Sequence, residues 1–169
     1  PENELRNVYL QPFYAAVTAG AATVMTSFGD LNGIPCTANG FLLRQILREE
    51  WGFSGFVVSD WDSVFHLKVH GLTADDAGSA LEAAQAGVDM EMASTTYKQY
   101  LAQLVEQGKL SESVIDQAVA RILRLKLALG LFENPYTDPE ALPAYGNKQA
   151  LDVARQTARE SIVMLKNAE

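Results

Sequence analysis

At 169 residues the chain is long enough for one domain with a real core, and its 48% hydrophobic content makes it globular rather than disordered. Thirteen basic residues against 21 acidic ones give a formal charge of −8 with no Lys/Arg-rich patch, which argues against nucleic acid or a membrane as partner. The single cysteine, Cys36, excludes an intrachain disulfide, and no apolar run reaches the roughly 18 residues of a membrane-spanning helix. The compartment stays open, as the composition suits a soluble protein in the cytoplasm or outside it. Pro1 in place of an initiator methionine points to a fragment or a processed product.

In chain order, Leu5, Val8, Tyr9, Phe13 and Val17 recur at helical spacing. Pro12 predicts a break there, with Pro12 in the first turn of a second helical piece and Gly20 as its stop. A β-prone run at 22–27 leads into a turn-rich loop at 28–35. Asn39 is placed to cap a helix carrying Leu42, Leu43, Ile46, Leu47 and Trp51, ended by Gly52. Phe56, Val57 and Val58 then predict a strand buried on both faces, as in parallel sheets.

A loop to about Thr73 is expected next, followed by a small-residue helix over 75–86 stopped by Gly87. Residues 88–92 predict a third short strand. Helices are predicted over 97–107 and from about 112 to 129, the latter with Ile115, Ala118, Ile122, Leu125 and Leu129 on one stripe. Pro135, Pro139 and Pro143 mark an extended linker. Helix returns over 149–160, and 161–166 reads as a strand whose sheet the chain does not contain.

Alternating helices and strands imply an α/β fold with a parallel sheet and right-handed crossovers. A closed (β/α) barrel needs eight strands and typically about 250 residues. The three strands here fit either a small open sheet or the back end of a TIM-type barrel. Asp60 lies just past the C-terminal end of the second strand, the edge where such folds place chemistry. A cap on the following helix is the structural alternative.

Several segments together closely resemble family 3 glycoside hydrolases, the β-glucosidase family. They are Val24-Met25-Thr26-Ser27-Phe28 with Leu31-Asn32-Gly33-Ile34-Pro35, the run from Leu42 to Phe53, and Gly55-Phe56-Val57-Val58-Ser59-Asp60-Trp61. The likeness continues through Ala86-Gly87-Val88-Asp89-Met90-Glu91-Met92, Arg121-Ile122-Leu123, Leu129-Gly130-Leu131-Phe132 and the run from Ala158 to Asn167. The resemblance implies a hydrolase that cleaves terminal β-D-glucosyl or related β-glycosyl residues through a covalent glycosyl-aspartate, with Asp60 as nucleophile. It also implies a (β/α) barrel followed by an α/β sandwich domain. Residues 1–130 would form the C-terminal part of the barrel, 131–148 the linker and 149–169 the start of the sandwich. The family's general acid/base is a Glu in the second domain with no counterpart here, and the early barrel residues that bind sugar hydroxyls are missing too. An inactive structural or assembly module is the alternative reading, and a phosphate-binding domain is disfavoured because no glycine-rich loop follows a strand.

Retention of configuration needs two carboxyl groups about 5–5.5 Å apart, one attacking and one protonating. Asp62 is too close along a tight loop to be the partner of Asp60 and reads as a loop or cap carboxylate. Trp61 offers a flat apolar face for stacking a sugar, with a core role as the alternative. The resemblance adds Met25 and Phe28 to the same pocket. The family often has Tyr at the second position, and Phe28 has no hydroxyl to offer the nucleophile. Glu91 ends the third strand and is expected to meet a sugar hydroxyl or a neighbouring cation, with a structural salt bridge as the alternative. His66 and His70 are four apart but lack a third ligand, so no metal is expected, and no cofactor. The expected partners are a β-glucoside or oligosaccharide and the remainder of the enzyme or a second copy.

Overall fold

The computed structural model describes residues 1–141 and 146–168, so Pro143 of the expected linker and the last residue lie outside it. The chain forms two compact units, Pro1–Glu133 and Asn134–Glu169. In the first, β1 (Thr23–Met25), β4 (Phe56–Trp61) and β5 (Met90–Met92) make a parallel sheet in the order β1-β4-β5. The expected strands are thus present with shifted ends. The turn-rich loop folds as a minimal antiparallel pair, β2 (Asp30–Leu31) with β3 (Ile34–Pro35).

Local chemistry explains the helix ends. The N-terminal helical stretch, α1 (Glu2–Glu4) continued over Leu5–Tyr9, breaks at Leu10, and Pro12 lies in the first turn of α2 (Gln11–Thr18). The Asn39 carboxamide accepts from the Leu42 N–H at 3.1 Å, opening the Phe41–Glu50 helix, which winds as a π-helix. The Asp75 carboxylate accepts from the Gly78 N–H at 2.7 Å and caps α4 (Asp76–Ala86). Gly87 closes α4 at φ +109°, a left-handed conformation that only glycine enters without strain. Gly55 is required for a different reason. A Cβ there would lie 2.1 Å from the Ala22 carbonyl oxygen, so the entries to β1 and β4 approach as only glycine permits.

Helices cover one face of the sheet. Val57 and Ser59 are buried beneath them, and Leu43, Leu47, Phe53, Val57, Val64, Leu67, Ala83, Ala86 and Val88 form the main core. A second cluster, Ala80, Ala84, Leu104 and Leu110, joins α4 to α5 (Thr96–Glu106). Val114 and Ile115 of α6 (Glu112–Ala128) pack against it, and of the predicted stripe only Leu129 faces solvent. The prediction that β4 is buried on both faces is corrected. Phe56 and Val58 are only half-buried, and Val58's cross-strand neighbours Met25 and Met90 are 52% and 45% exposed. Apolar content along a strand reports that both faces are meant for burial, not that this chain supplies both covers.

Two further expectations change. The loop after Asp60 contains a one-turn helix, α3 (His66–Val69), started by the His66 N–H donating to the Asp62 carbonyl at 2.9 Å and anchored by buried Leu67. In the second unit α7 (Lys148–Ser161) forms as expected, with the Asn147 side chain accepting from the Ala150 N–H at 3.0 Å. The strand expected at 161–166 does not form: Ser161 ends α7, and residues 162–168 have no regular structure. Ile162 to Leu165 stand exposed, Leu165 at 93%, because a strand exists only against another strand's hydrogen-bonding edge.

Candidate active site

The site is built on a break in the sheet. Val58 pairs with Met90 and Trp61 with Met92, so β4 advances three residues while β5 advances two. The extra residue is a β-bulge, a device that re-aims side chains at functional edges. Ser59 makes it possible. Its hydroxyl accepts from the Met92 N–H at 2.8 Å, in place of a ladder carbonyl, and donates to the Asp60 carbonyl at 2.9 Å. The bulge returns Trp61 to register opposite Met92, two residues beyond Met90 on the same strand. Met90 in turn faces Val58, whose other neighbour is Met25.

Asp60 sits at this bulge, half-buried at the C-terminal end of the central strand. Its N–H donates to the Thr26 hydroxyl at 3.3 Å. Oδ1 accepts from the Trp61 N–H at 2.7 Å. Among the described residues no protein donor reaches Oδ2. The result is a carboxylate with one oxygen fixed and one available. Asp62 follows at φ +56°, its N–H donating to the Met92 carbonyl at 3.1 Å, as a loop-forming residue.

Trp61, next to Asp60 in the chain, is 64% exposed; Phe28 is 41% exposed, and its ring lies 5.7 Å from that of His66. Within this chain the Trp61 ring is thus exposed. Glu91 is engaged elsewhere. One oxygen accepts from the Ser94 hydroxyl and from the Thr96 N–H at 3.0 Å, and the other from the Tyr97 N–H at 2.7 Å. The carboxylate thus closes the N-terminus of α5, where exposed N–H groups and the helix dipole favour an anion. His66 and His70 bracket the single turn of α3, and among the described residues no three His, Cys, Asp or Glu side chains converge on a point. Among the described residues no helix is long and apolar enough to cross a membrane.

Two features escape sequence reasoning. One is the Thr26 hydroxyl under Asp60. The other is Asp89, whose buried carboxylate takes the Arg48 guanidinium on one oxygen and that of Arg121 on the other, the latter at 2.7 Å. Burial pushes the Arg48 guanidinium below its ordinary value, against the pull of Asp89. Beside them the Tyr97 hydroxyl donates to the Val88 carbonyl at 2.9 Å, and burial pushes this phenol well above its usual value. Carboxylate and arginines lie 32 and 41 residues apart, beyond any local pattern.

A parallel α/β sheet with an oriented carboxylate at its C-terminal edge defines the class, and comparison with known proteins gives the family. The model described as glycosyl hydrolase family 3 N terminal domain matches residues 1–125. The periplasmic β-glucosidase of Salmonella typhimurium is 40% identical over 96% of this chain and 22% of its own length. A β-xylosidase of Formosa agariphila is 38% identical over 98% of this chain and 24% of its own. The crystal structure of a β-glucosidase from Listeria innocua in complex with glucose superimposes with a TM-score of 0.88 at 41% identity, covering 100% of this chain and 23% of that one. The chain belongs to glycosyl hydrolase family 3. It spans less than a quarter of the length of each of these relatives.

Proposed function

We propose that this chain carries the nucleophile of a retaining β-glycosidase acting on terminal β-D-glucosyl or related β-glycosyl residues, and that Asp60 is that nucleophile. The observation that carries the reading is the state of the carboxylate: Oδ1 is held by the Trp61 N–H at 2.7 Å while Oδ2 is left for attack. Oδ2 bonds to the anomeric carbon as the bond to the leaving oxygen breaks, and a carboxylic acid elsewhere in the enzyme gives that oxygen its proton. Water, deprotonated by the same group, then attacks the glycosyl-aspartate, releasing the sugar and restoring the Asp60 carboxylate. The resemblance assigns the acid to a Glu of the second domain, outside the residues matched here.

The three strands fit the last three of an eight-stranded barrel, with residues 1–130 in the barrel, 131–148 as linker and 149–169 opening the sandwich domain. Helices on one face only, with Met25 and Met90 exposed on the other, suit an interior that the remaining strands would fill. The same exposure supports a secondary reading, that this chain alone is an assembly module needing the remainder of the enzyme or a second copy. Trp61, Met25 and Phe28 are proposed to line the sugar site. Glu91 is left out of that set because both its oxygens serve α5.

The test uses the full-length polypeptide carrying these residues. Asp60→Gly should abolish turnover of an aryl β-glucoside. Azide should then restore cleavage and yield the α-glycosyl azide, because the small anion enters from the face the carboxylate vacated. A β-glycosyl azide, or no loss of turnover in the variant, would refute the assignment.

A further inference from the structure

Asp60 has lost its place in a regular ladder, so something other than strand pairing must hold its backbone. A buried chain of hydroxyls does so. The Asp60 N–H donates to Thr26 Oγ1 at 3.3 Å, Thr26 Oγ1 lies 2.9 Å from Thr37 Oγ1, and Thr37 donates to Ser63 Oγ at 3.0 Å. The circuit returns to its start, because the Ser63 N–H donates to the Asp60 carbonyl at 3.1 Å. Thr26, Thr37 and Ser63 are all buried, Thr37 at 1% exposure.

The proton directions follow from counting. Thr37 has one hydroxyl proton and gives it to Ser63, so it accepts from Thr26. Thr26 then uses its own proton on Thr37 and a lone pair on Asp60. Both ends of the circuit close on one residue, at its N–H and at its carbonyl. The three contributors come from separate places: the end of β1, the Cys36–Ala38 turn and the loop after β4. Thr37 stands two residues before Asn39, which caps the Phe41–Glu50 helix, so the circuit is fixed to the helical layer.

We infer that Thr37, which does not touch Asp60, is a positioning residue that sets where the Asp60 carboxylate stands, acting through Thr26 on one side and Ser63 on the other. This rests on the reading of Asp60 as nucleophile. Removing the Thr37 hydroxyl leaves a buried donor at Thr26 without its acceptor and Ser63 Oγ without its donor. Either hydroxyl then turns to a new partner, and the Asp60 peptide is free to shift. Displacement by about 1 Å can cost on the order of 10²-fold in rate, because attack needs the reacting atoms at near-contact distance in line.

The experiment measures how fast a 2-deoxy-2-fluoro-β-glucoside with a dinitrophenolate leaving group inactivates the full-length enzyme. That leaving group needs no proton, so the rate reports nucleophilic attack alone. Thr37→Val keeps the shape and removes the hydroxyl, and should slow inactivation about 10- to 100-fold with the inhibitor's binding constant little changed. Thr37→Ser, which keeps the hydroxyl and removes a methyl, should recover most of that rate. Ser63→Ala, at the loop end of the circuit, should slow inactivation in the same direction, and it decides the matter if Thr37→Val fails to fold. Inactivation at the wild-type rate in Thr37→Val, or in Ser63→Ala where Thr37→Val does not fold, would overturn the inference. So would equal losses in Thr37→Ser and Thr37→Val, which would mark Thr37 as packing only. Peptide mapping of the inactivated wild type separates the two levels of argument: label away from Asp60 would remove the proposed nucleophile, whereas label on Asp60 with unaltered variants would remove only the role of Thr37.

Discussion

Val57 and Asp89 exchange two hydrogen bonds: the Val57 N–H donates to Asp89 Oδ2 at 2.8 Å, and the Asp89 N–H donates to the Val57 carbonyl at 2.9 Å. One residue thus serves as backbone partner and as side-chain partner to the same strand position. The remaining capacity of the carboxylate goes to Arg48 and Arg121, so a single buried acid ties β4, the Phe41–Glu50 helix and α6 together. Asp89→Asn removes the charge that both guanidiniums face and turns one acceptor oxygen into a donor. Breaking a buried pair from one side costs about 3–5 kcal/mol, so the variant should unfold at a much lower denaturant midpoint. A loss below about 1 kcal/mol, the range of a surface pair, would contradict the anchor.

Glu91 should behave as part of the scaffold. Glu91→Gln keeps one acceptor oxygen for the α5 N-terminus and replaces the other with an amide that cannot accept. The expected outcome is a stability loss of about 1–2 kcal/mol, the scale of a lost helix cap, with KM for an aryl β-glucoside unchanged. A raised KM with unchanged thermal stability would instead make Glu91 a sugar ligand.

Trp61 should behave in the opposite way. In this chain its ring is 64% exposed and makes no part of the core clusters. Trp61→Ala should lower kcat/KM by roughly two- to tenfold while leaving the melting temperature nearly unchanged, because contacts of its flat face are worth about 0.5–1.5 kcal/mol. A large fall in melting temperature with intact kinetics would return Trp61 to a structural role.

One acid dependence follows from the N-terminal helices. Arg6 grips Glu50 with both terminal nitrogens, at 2.6 and 3.0 Å, and this hydrogen bonding holds the Glu50 carboxyl below its ordinary value. A carboxyl depressed in the folded state contributes its full stabilisation above its unfolded value and loses it as pH falls through the folded one. Protection of the amides across residues 2–9, taken relative to the intrinsic exchange rate at each pH, should therefore fall on acidification below the ordinary carboxylate range. Glu50→Gln should bring the same loss of protection at neutral pH. Unchanged exchange in that variant would show that the helix is held by other means.

The legible parts of the fold are those written in local chemistry. Pro12, Asn39, Asp75, Gly87 and the apolar run before Asp60 each act on their near neighbours, and the structure follows them. The bulge was not legible, because it depends on the Ser59 hydroxyl meeting Met92, 33 residues away. The same holds for Asp89 with its arginines and for Thr26 with Thr37, where types are ordinary and only the fold makes them neighbours. A local signal did exist at Glu91: an acid shortly before Ser94, Thr95 and Thr96 and a helix is the pattern of an N-terminal cap. Residues 161–166 show the converse limit, since strand propensity without a partner edge makes no strand.

The most direct test of the central claim is identification of the residue that bonds to the sugar. The full-length enzyme is incubated with a 2-deoxy-2-fluoro-β-glucoside bearing a good leaving group, then digested and mapped by mass spectrometry. The account predicts one glycosylated peptide, spanning the end of β4, with the fluorosugar on the Asp60 side chain and none in Asp60→Asn. Label on a different carboxylate, or time-dependent inactivation that persists in Asp60→Asn, would contradict it.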